Sequence, residues 1–289
     1  MCGDHPGACG PTRRELVARA SRWTAAATGA AALGSAVTGT LGTARAAIAD
    51  DIDRGAPTPV PVAPGLTIHP REAWGADLAP TGPILPETPQ FLLVHHTASP
   101  SSYGDARDVI RGVYRFHTGP AKGWADVCYQ FFVGRDGDVW EGRAGALAGP
   151  VVADASNGSQ GFAQLVCLLG DFQVAPPTPA ALDALVRVLA WLARRDGIDV
   201  APGATATFRS RGSDRWRAGT TVTTPTIAGH RDMTYTACPG AAMYALLPAV
   251  REQVALTVAR WAAPPAPGPD GLRPAQRIGR VADPEQPDT

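Results

Sequence analysis

A continuous apolar run from Leu165 to Leu169 is the feature that most constrains the fold of this chain. A strand that is apolar at every position has no face for water, so it needs packed layers on both sides. A second run, Phe91 to Val94, predicts another buried strand, and it delivers His95 to the rim of a sheet. His96 would point to the opposite face, so the two histidines cannot easily bind one metal ion. We assign His96 to a structural role or to the support of a metal-binding residue.

Helical patterns alternate with these strands. Apolar side chains between Asp105 and His117 lie on one face and predict a helix that ends at His117. Thr178 is a typical N-cap for a second helix, which Gly197 ends. A third helix should follow Pro239, and Pro248 is placed to bend it. The other predicted elements are two strands, 128–133 and 139–141, around an Asp-Gly hairpin turn. This order predicts an α/β domain with a mixed central sheet flanked by helices.

The two ends of the chain differ in composition from its centre. Residues 1–46 resemble a twin-arginine export signal that is cleaved after Ala46, with a basic leader or a membrane helix as the alternative. Residues 47–67 are rich in proline and predict a linker. The folded domain is expected over 68–262, followed by a disordered Pro/Gly-rich tail over 263–289. We therefore expect a secreted protein, extracellular or in the cell wall, without a membrane anchor after cleavage.

Three side chains could form a zinc site. His230 and Cys238 are separated by seven residues in a turn-rich stretch, and His95 is the candidate third ligand. A catalytic zinc usually takes three protein ligands and leaves one position to water, whose pKa it lowers to about 7. The alternative is that His95 is a hydrogen-bonded histidine, that His230 caps a turn and that Cys238 is a buried thiol. A closed structural zinc site would need a fourth protein ligand.

Five motifs in fixed order resemble the peptidoglycan recognition protein and type 2 N-acetylmuramoyl-L-alanine amidase family. They are His95-His96-Thr97, Trp124-x-Asp126-x-x-Tyr129, Glu141-Gly142-Arg143, Leu168-Leu169-Gly170-Asp171-Phe172, and Gly229-His230-Arg231-Asp232 with Cys238-Pro239-Gly240. The likeness runs from about Trp74 to the helix after Cys238. It implies a single domain of that family's fold, and it implies Zn²⁺ as the cofactor.

The resemblance also implies roles for individual residues. His95, His230 and Cys238 match the zinc ligands, and Tyr129 matches a catalytic tyrosine that hydrogen-bonds the zinc water or the oxyanion. Thr236 matches a position that helps to orient substrate or water.

His117 matches a histidine near the cleft, although a histidine stabilised at a helix end is the alternative. Glu141 and Arg143 belong to a largely structural motif, in which Arg143 pairs or lines the groove and Glu141 is a less favoured general base. Apart from the resemblance, Asp232 could accept a hydrogen bond from the His230 ring or stabilise the turn.

One position departs from the family pattern. Asp154 stands where many members have a histidine after the Glu-Gly-Arg motif. We place it with His117 and Arg143 among the substrate-binding candidates. The departure leaves the metal ligands intact, but the family's stem-peptide and glycan preference cannot be transferred.

The implied activity is hydrolysis of the amide between the N-acetylmuramoyl lactyl group and L-alanine, with zinc-bound water as the nucleophile. The alternative is a non-catalytic peptidoglycan-binding module. The chain has 26 basic and 26 acidic side chains, so charge gives no indication of nucleic acid. We expect a peptidoglycan or muropeptide substrate and a monomer.

The sequence leaves open whether two of the cysteines form a disulfide. If Cys238 binds zinc, Cys128 and Cys167 remain as a pair in predicted strands. An oxidising compartment would permit a disulfide between them, whereas the alternative is two small buried side chains.

Overall fold

The computed structural model describes residues 57–263. Its strands and helices follow in chain order: β1 (Val60–Ala63), β2 (Leu66–Ile68), α1 (Glu72–Gly75), β3 (Phe91–His96), α2 (Ala106–Thr118), β4 (Phe131–Val133), β5 (Val139–Glu141), β6 (Ala163–Leu168), α3 (Pro179–Asp196), β7 (Thr205–Arg209), β8 (Thr221–Pro225), β9 (Ile227–Gly229) and α4 (Ala241–Ala262). Two short 3₁₀ turns, Asn157–Ser159 and His230–Asp232, complete the set.

Five strands form the central sheet in the order β5-β4-β6-β3-β9. β3 is parallel to β6 and to β9, β4 is parallel to β6, and only β5 runs antiparallel. Every residue of β3 and β6 is buried, as their apolar runs predict. Because the carboxyl ends of the parallel strands meet at one edge, His95 in β3 comes close to the segment that leaves β9. The mixed α/β fold is therefore confirmed.

The two faces of the sheet are covered differently. Leu92 and Val94 pack in a cluster with α3 and α4. Phe91 and Leu93 pack on the other face against Phe208 and neighbouring side chains. Farther along that second face, α1 and α2 supply Trp74, Ile110 and Tyr114 to a third cluster around β4 and Cys167.

Local signals account for most element boundaries. Asp105 caps α2 by accepting a hydrogen bond from Arg107 N. Thr178 caps α3 in the same way, and Gly197 ends it in the left-handed conformation, as predicted. Helix α4 continues through Pro248.

Three details differ from the sequence interpretation. The strand predicted from Cys128 begins only at Phe131, because the Gln130 side chain takes part in the pairing and accepts from Leu165 N. Strands β1 and β2 form a hairpin within the range expected as linker, and Leu66 is buried there. A third hairpin, β7 with β8, is absent from the sequence interpretation. We call Thr205–Pro225, which includes this hairpin and its connecting loop, the arm.

The predicted export signal (1–46) and nearly all of the predicted tail (263–289) lie outside the described residues. Within 57–263, no helix is both long enough and apolar enough to cross a bilayer.

Candidate metal centre

Three potential ligand atoms converge at the carboxyl edge of the sheet. The donor atoms of His95, His230 and Cys238 all lie within 4.8 Å of one another. His95 Nδ1 is 3.6 Å from Cys238 Sγ, and the two imidazole centroids are 4.4 Å apart. The structure thus brings together all three residues that the sequence singled out.

Separate backbone segments hold these side chains in place. His95 is the penultimate residue of β3, and His230 begins the 3₁₀ turn directly after β9. The loop from His230 to Cys238, which we call the metal loop, is closed by a hydrogen bond from Arg231 N to Cys238 O at 3.1 Å. Thr236 Oγ1 accepts from Cys238 N at 3.2 Å, so Thr236 orients the cysteine backbone.

Gly240 is required where the chain turns after Cys238. Its φ is +94°, and a Cβ there would lie 2.3 Å from the carbonyl of Phe172. A side chain would therefore push the metal loop away from the segment after β6.

The three side chains fit a metal of borderline softness. Burial lowers the pKa of His95 well below its usual value and that of His230 to about 4, so both imidazoles are neutral and can donate a lone pair. His95 Nε2 is a buried atom without a hydrogen-bond partner in the described chain. Burial raises the pKa of Cys238 to about 12, a cost that a cation offsets by binding the thiolate. Two imidazoles and one thiolate form a set that suits zinc.

Tyr129 borders this centre. Its ring centroid is 5.1 Å from that of His95. Burial raises the pKa of the phenol well above 10, so the hydroxyl keeps its proton and can donate a hydrogen bond. Tyr129 is also among the residues that line a neighbouring cleft of about 500 Å³.

That cleft lies along α2 and the segment after β3. Its lining is largely apolar or aromatic and includes Thr97, Tyr103, Val113, Phe116 and His117. His117 Nδ1 accepts from Cys128 N at 3.2 Å. Burial, and then the charges of Lys122 and Arg143, lower the pKa of His117 to about 4. The cleft therefore contains a neutral imidazole.

Arg143 and Asp154 bind each other. Arg143 Nη1 donates to Asp154 Oδ2 at 2.6 Å and to Val127 O at 3.1 Å, and the Arg143 side chain is 4% exposed. A histidine at position 154 would leave this guanidinium without a carboxylate partner. The departure from the family pattern thus produces an internal ion pair between two predicted substrate-binding residues.

Two other carboxylates of the motifs are engaged within the protein. The carboxylate oxygens of Glu141 accept from Arg71 N and Leu147 N. Asp232 accepts from Gly229 N and from the Tyr244 hydroxyl, which stabilises the turn. Both carboxylates are therefore occupied by groups that hold backbone or turn geometry.

Cys128 and Cys167 are buried free thiols. Cys167 pairs in register with His95 across β6 and β3, so it lies beside the predicted ligand without belonging to the metal-compatible group of the described residues.

Sequence reasoning missed Asn157. Its side-chain nitrogen lies 3.3 Å from His230 Nε2, and its φ of +44° holds it in the left-handed region. The Asn157-Gly158 dipeptide is a turn signal. However, its proximity to His230 depends on a contact between segments far apart in sequence.

Comparison with known proteins places these observations in a family. The family model described as N-acetylmuramoyl-L-alanine amidase (Amidase_2) matches residues 85–241. The human N-acetylmuramoyl-L-alanine amidase is 33% identical over 185 residues, which is 62% of this chain and 27% of the human protein. Peptidoglycan-recognition protein SC2 of Drosophila simulans is 26% identical over 178 residues, covering 61% of this chain and 82% of that protein.

The chain is also similar to solved structures. Human PGRP-IBETAC in complex with glycosamyl muramyl pentapeptide has a TM-score of 0.48 and 23% identity, covering 62% of this chain and 93% of that one. By its family match, the chain belongs to the N-acetylmuramoyl-L-alanine amidase family, in which amidases and peptidoglycan-recognition proteins occur together.

Proposed function

We propose that this protein is a zinc-dependent amidase that cleaves the bond between the N-acetylmuramoyl lactyl group and L-alanine of peptidoglycan. The observation that supports it most is the convergence of His95, His230 and Cys238, with the Tyr129 ring beside His95 and a neighbouring cleft that Tyr129 also lines. Three candidate protein ligands lie within the described chain, which is the number typical of catalytic rather than structural zinc.

Each protein group has a defined task in this proposal. Zinc, when bound, supplies a Lewis acid that polarises the amide carbonyl and acidifies water. Tyr129 donates its hydroxyl hydrogen to the oxygen that gains charge, since its raised pKa keeps it protonated. The apolar wall of the cleft, including Val113 and Phe116, excludes water from the bound fragment.

The decisive experiment is mass spectrometry of soluble muropeptides incubated with zinc-loaded protein. We expect free stem peptides with an N-terminal alanine from the wild type and none after chelation or with Cys238→Ala. Cys167→Ala is the matched control, because it removes a buried thiol beside His95 that is outside the predicted ligand set. Fragments that bind fully zinc-loaded protein but stay intact would instead establish a recognition module.

We also propose that the chain is exported by the twin-arginine route and released after Ala46. The Arg13-Arg14 pair ahead of an uncharged stretch supports this. Arg13→Lys with Arg14→Lys should retain the protein inside the producing cell, as measured by immunoblotting of medium and cell fractions. Secretion of the double variant at the wild-type level would contradict this route.

A further inference from the structure

The arm is attached directly to the metal loop. Four residues at its tip hydrogen-bond to five consecutive residues of that loop. Ser213 Oγ donates to Met233 O at 2.8 Å, and Trp216 Nε1 donates to Asp232 O at 2.9 Å. The other bonds are Arg215 to the Arg231 carbonyl, and the Thr234 hydroxyl and Tyr235 N to the Asp214 carboxylate. A polymer that reaches the metal centre therefore passes close to the arm.

The arm carries an excess of positive charge that the rest of the domain lacks. Between Thr205 and Pro225 there are four arginines and one aspartate, whereas the rest of 57–263 has 13 basic and 16 acidic side chains. The four arginines, all exposed, are Arg209, Arg211, Arg215 and Arg217. Asp214 is the one acidic residue of the arm, and its carboxylate is occupied by the metal loop.

Most arginines elsewhere in the described domain have a carboxylate partner. Seven of those twelve arginines form ion pairs with aspartates, for example Arg111 with Asp77 and Arg143 with Asp154. Within the described part of the chain, no carboxylate lies in ion-pair distance of any arginine of the arm. The arm thus presents uncompensated charge beside a centre whose own ligand histidines are neutral.

Two of these guanidinium groups lie over aromatic rings. Arg211 lies 5.1 Å from the Phe162 ring centroid and Arg215 lies 5.3 Å from that of Trp216. Stacking restrains the plane of a guanidinium while leaving N–H groups at its edge available to an oxyanion. Charges distributed over an arm fit a repeating anion better than a single small one.

We propose that the arm is a docking surface for carboxylates of peptidoglycan stem peptides outside the cleft, on the same polymer that the centre cleaves. This inference rests on the proposed function for the identity of the polymer. Guanidinium groups bind carboxylates through paired N–H donors, and several such contacts along one polymer add through effective concentration. The arm then holds the insoluble polymer while the cleft engages one stem.

The test separates binding from cleavage. We would measure binding of the full mature chain to peptidoglycan sacculi, freed of phosphodiester polymers, by pelleting at 4 °C. The arm variant is Arg209→Gln with Arg217→Gln, two exposed residues that make no hydrogen bond to the metal loop. The matched control is Arg194→Gln with Arg260→Gln, which removes two exposed charges from α3 and α4.

We expect the arm variant to bind about 3- to 10-fold more weakly, the range given by two exposed ion pairs. The control should bind as the wild type does. Added salt should weaken binding of the wild type more than that of the arm variant. Amidation of the sacculus carboxyls with a carbodiimide and an amine should abolish the difference in binding between the wild type and the arm variant.

Equal binding by the arm variant and the control would overturn the inference. An unchanged difference between the wild type and the arm variant on amidated sacculi would also overturn it. The same holds if a soluble phosphodiester polymer competes for binding more strongly than polyglutamate of equal charge. Thermal melting of both variants shows whether either has lost its fold. If the arm variant has, the single variant Arg217→Gln is compared with the wild type in its place. The proposed activity is judged separately, by wild-type cleavage of soluble muropeptides.

Discussion

The two faces of β3 carry neighbouring histidines whose surroundings differ. His96, on the face covered by α3 and α4, accepts a hydrogen bond at Nδ1 from Phe172 N at 3.2 Å. His95, on the opposite face, has one ring nitrogen without a partner in the described chain and the other 3.6 Å from Cys238 Sγ. Both side chains are buried. In this pair, hydrogen-bond satisfaction rather than burial separates the structural histidine from the candidate ligand.

The two histidines of β3 should respond differently to substitution by alanine. His95→Ala should abolish zinc binding and amide cleavage, because two protein ligands do not hold a catalytic zinc tightly. His96→Ala should leave zinc stoichiometry at one and instead lower the unfolding free energy by about 1–3 kcal/mol through loss of a buried hydrogen bond. Metal analysis and thermal denaturation measure the two quantities. Loss of zinc from both variants to the same degree would refute the distinction.

A second variant tests whether Tyr129 provides a hydrogen-bond donor for catalysis. Tyr129→Phe keeps the ring beside His95 and removes only the hydroxyl. We expect kcat to fall about 10²–10³-fold, as for loss of one oxyanion donor, while zinc affinity stays unchanged. Steady-state kinetics on a soluble muropeptide and a competition assay for zinc measure these values. A kcat within threefold of the wild type would remove Tyr129 from the mechanism.

A third variant concerns the residue behind His230. Asn157→Ala removes the amide that lies 3.3 Å from His230 Nε2. Groups that orient a ligating imidazole typically change metal affinity 10- to 100-fold, and we expect about 10-fold for this partly buried contact. Competition with a chromogenic chelator measures it. Ser156→Ala is the control, because Ser156 precedes Asn157 and makes no hydrogen bond to His230 within the described residues. Equal affinities of both variants would count against a role for Asn157.

The smallest effect concerns pH. The pKa of His117 is about 4 in the folded protein and about 6.5 in an unfolded chain. As pH falls, the unfolded state binds the proton first, so stability that is complete above pH 6.5 is lost between pH 6.5 and about 4. His117→Gln should reduce the slope of the unfolding free energy in that window by up to about 1.4 kcal/mol per pH unit. Denaturation in chelator across this range measures the slope, and an unchanged slope would contradict the assignment.

Much of the fold could be predicted because its signals are local. The apolar runs of β3 and β6, the caps of α2 and α3 and the Asp-Gly turn each depend on a few adjacent residues. The arm was missed since its strands alternate threonine with few large apolar residues, and Phe208 and Val222 alone mark its buried side.

The candidate ligands could be named from motifs, whereas their surroundings could not. Asn157 contacts the metal loop across 73 residues of chain and the arm contacts it across 16 to 21, and no local motif at either one indicates those contacts. The Arg143–Asp154 pair is similar: the sequence marks position 154 as unusual, but only the structure provides the partner. The roles of Tyr129, Thr236 and His117 remain predictions.

The positions of the ligands along the chain have a consequence for folding. His95 and His230 are 135 residues apart in sequence, so an ion bound to both would join the first strand of the central sheet to the last. A ligand that binds only the folded state stabilises it by about 2.7 kcal/mol when its free concentration is 100 times the dissociation constant. The supply of zinc would then set the lifetime of the folded protein as well as its activity, and scarcity of the metal would expose the domain to proteolysis.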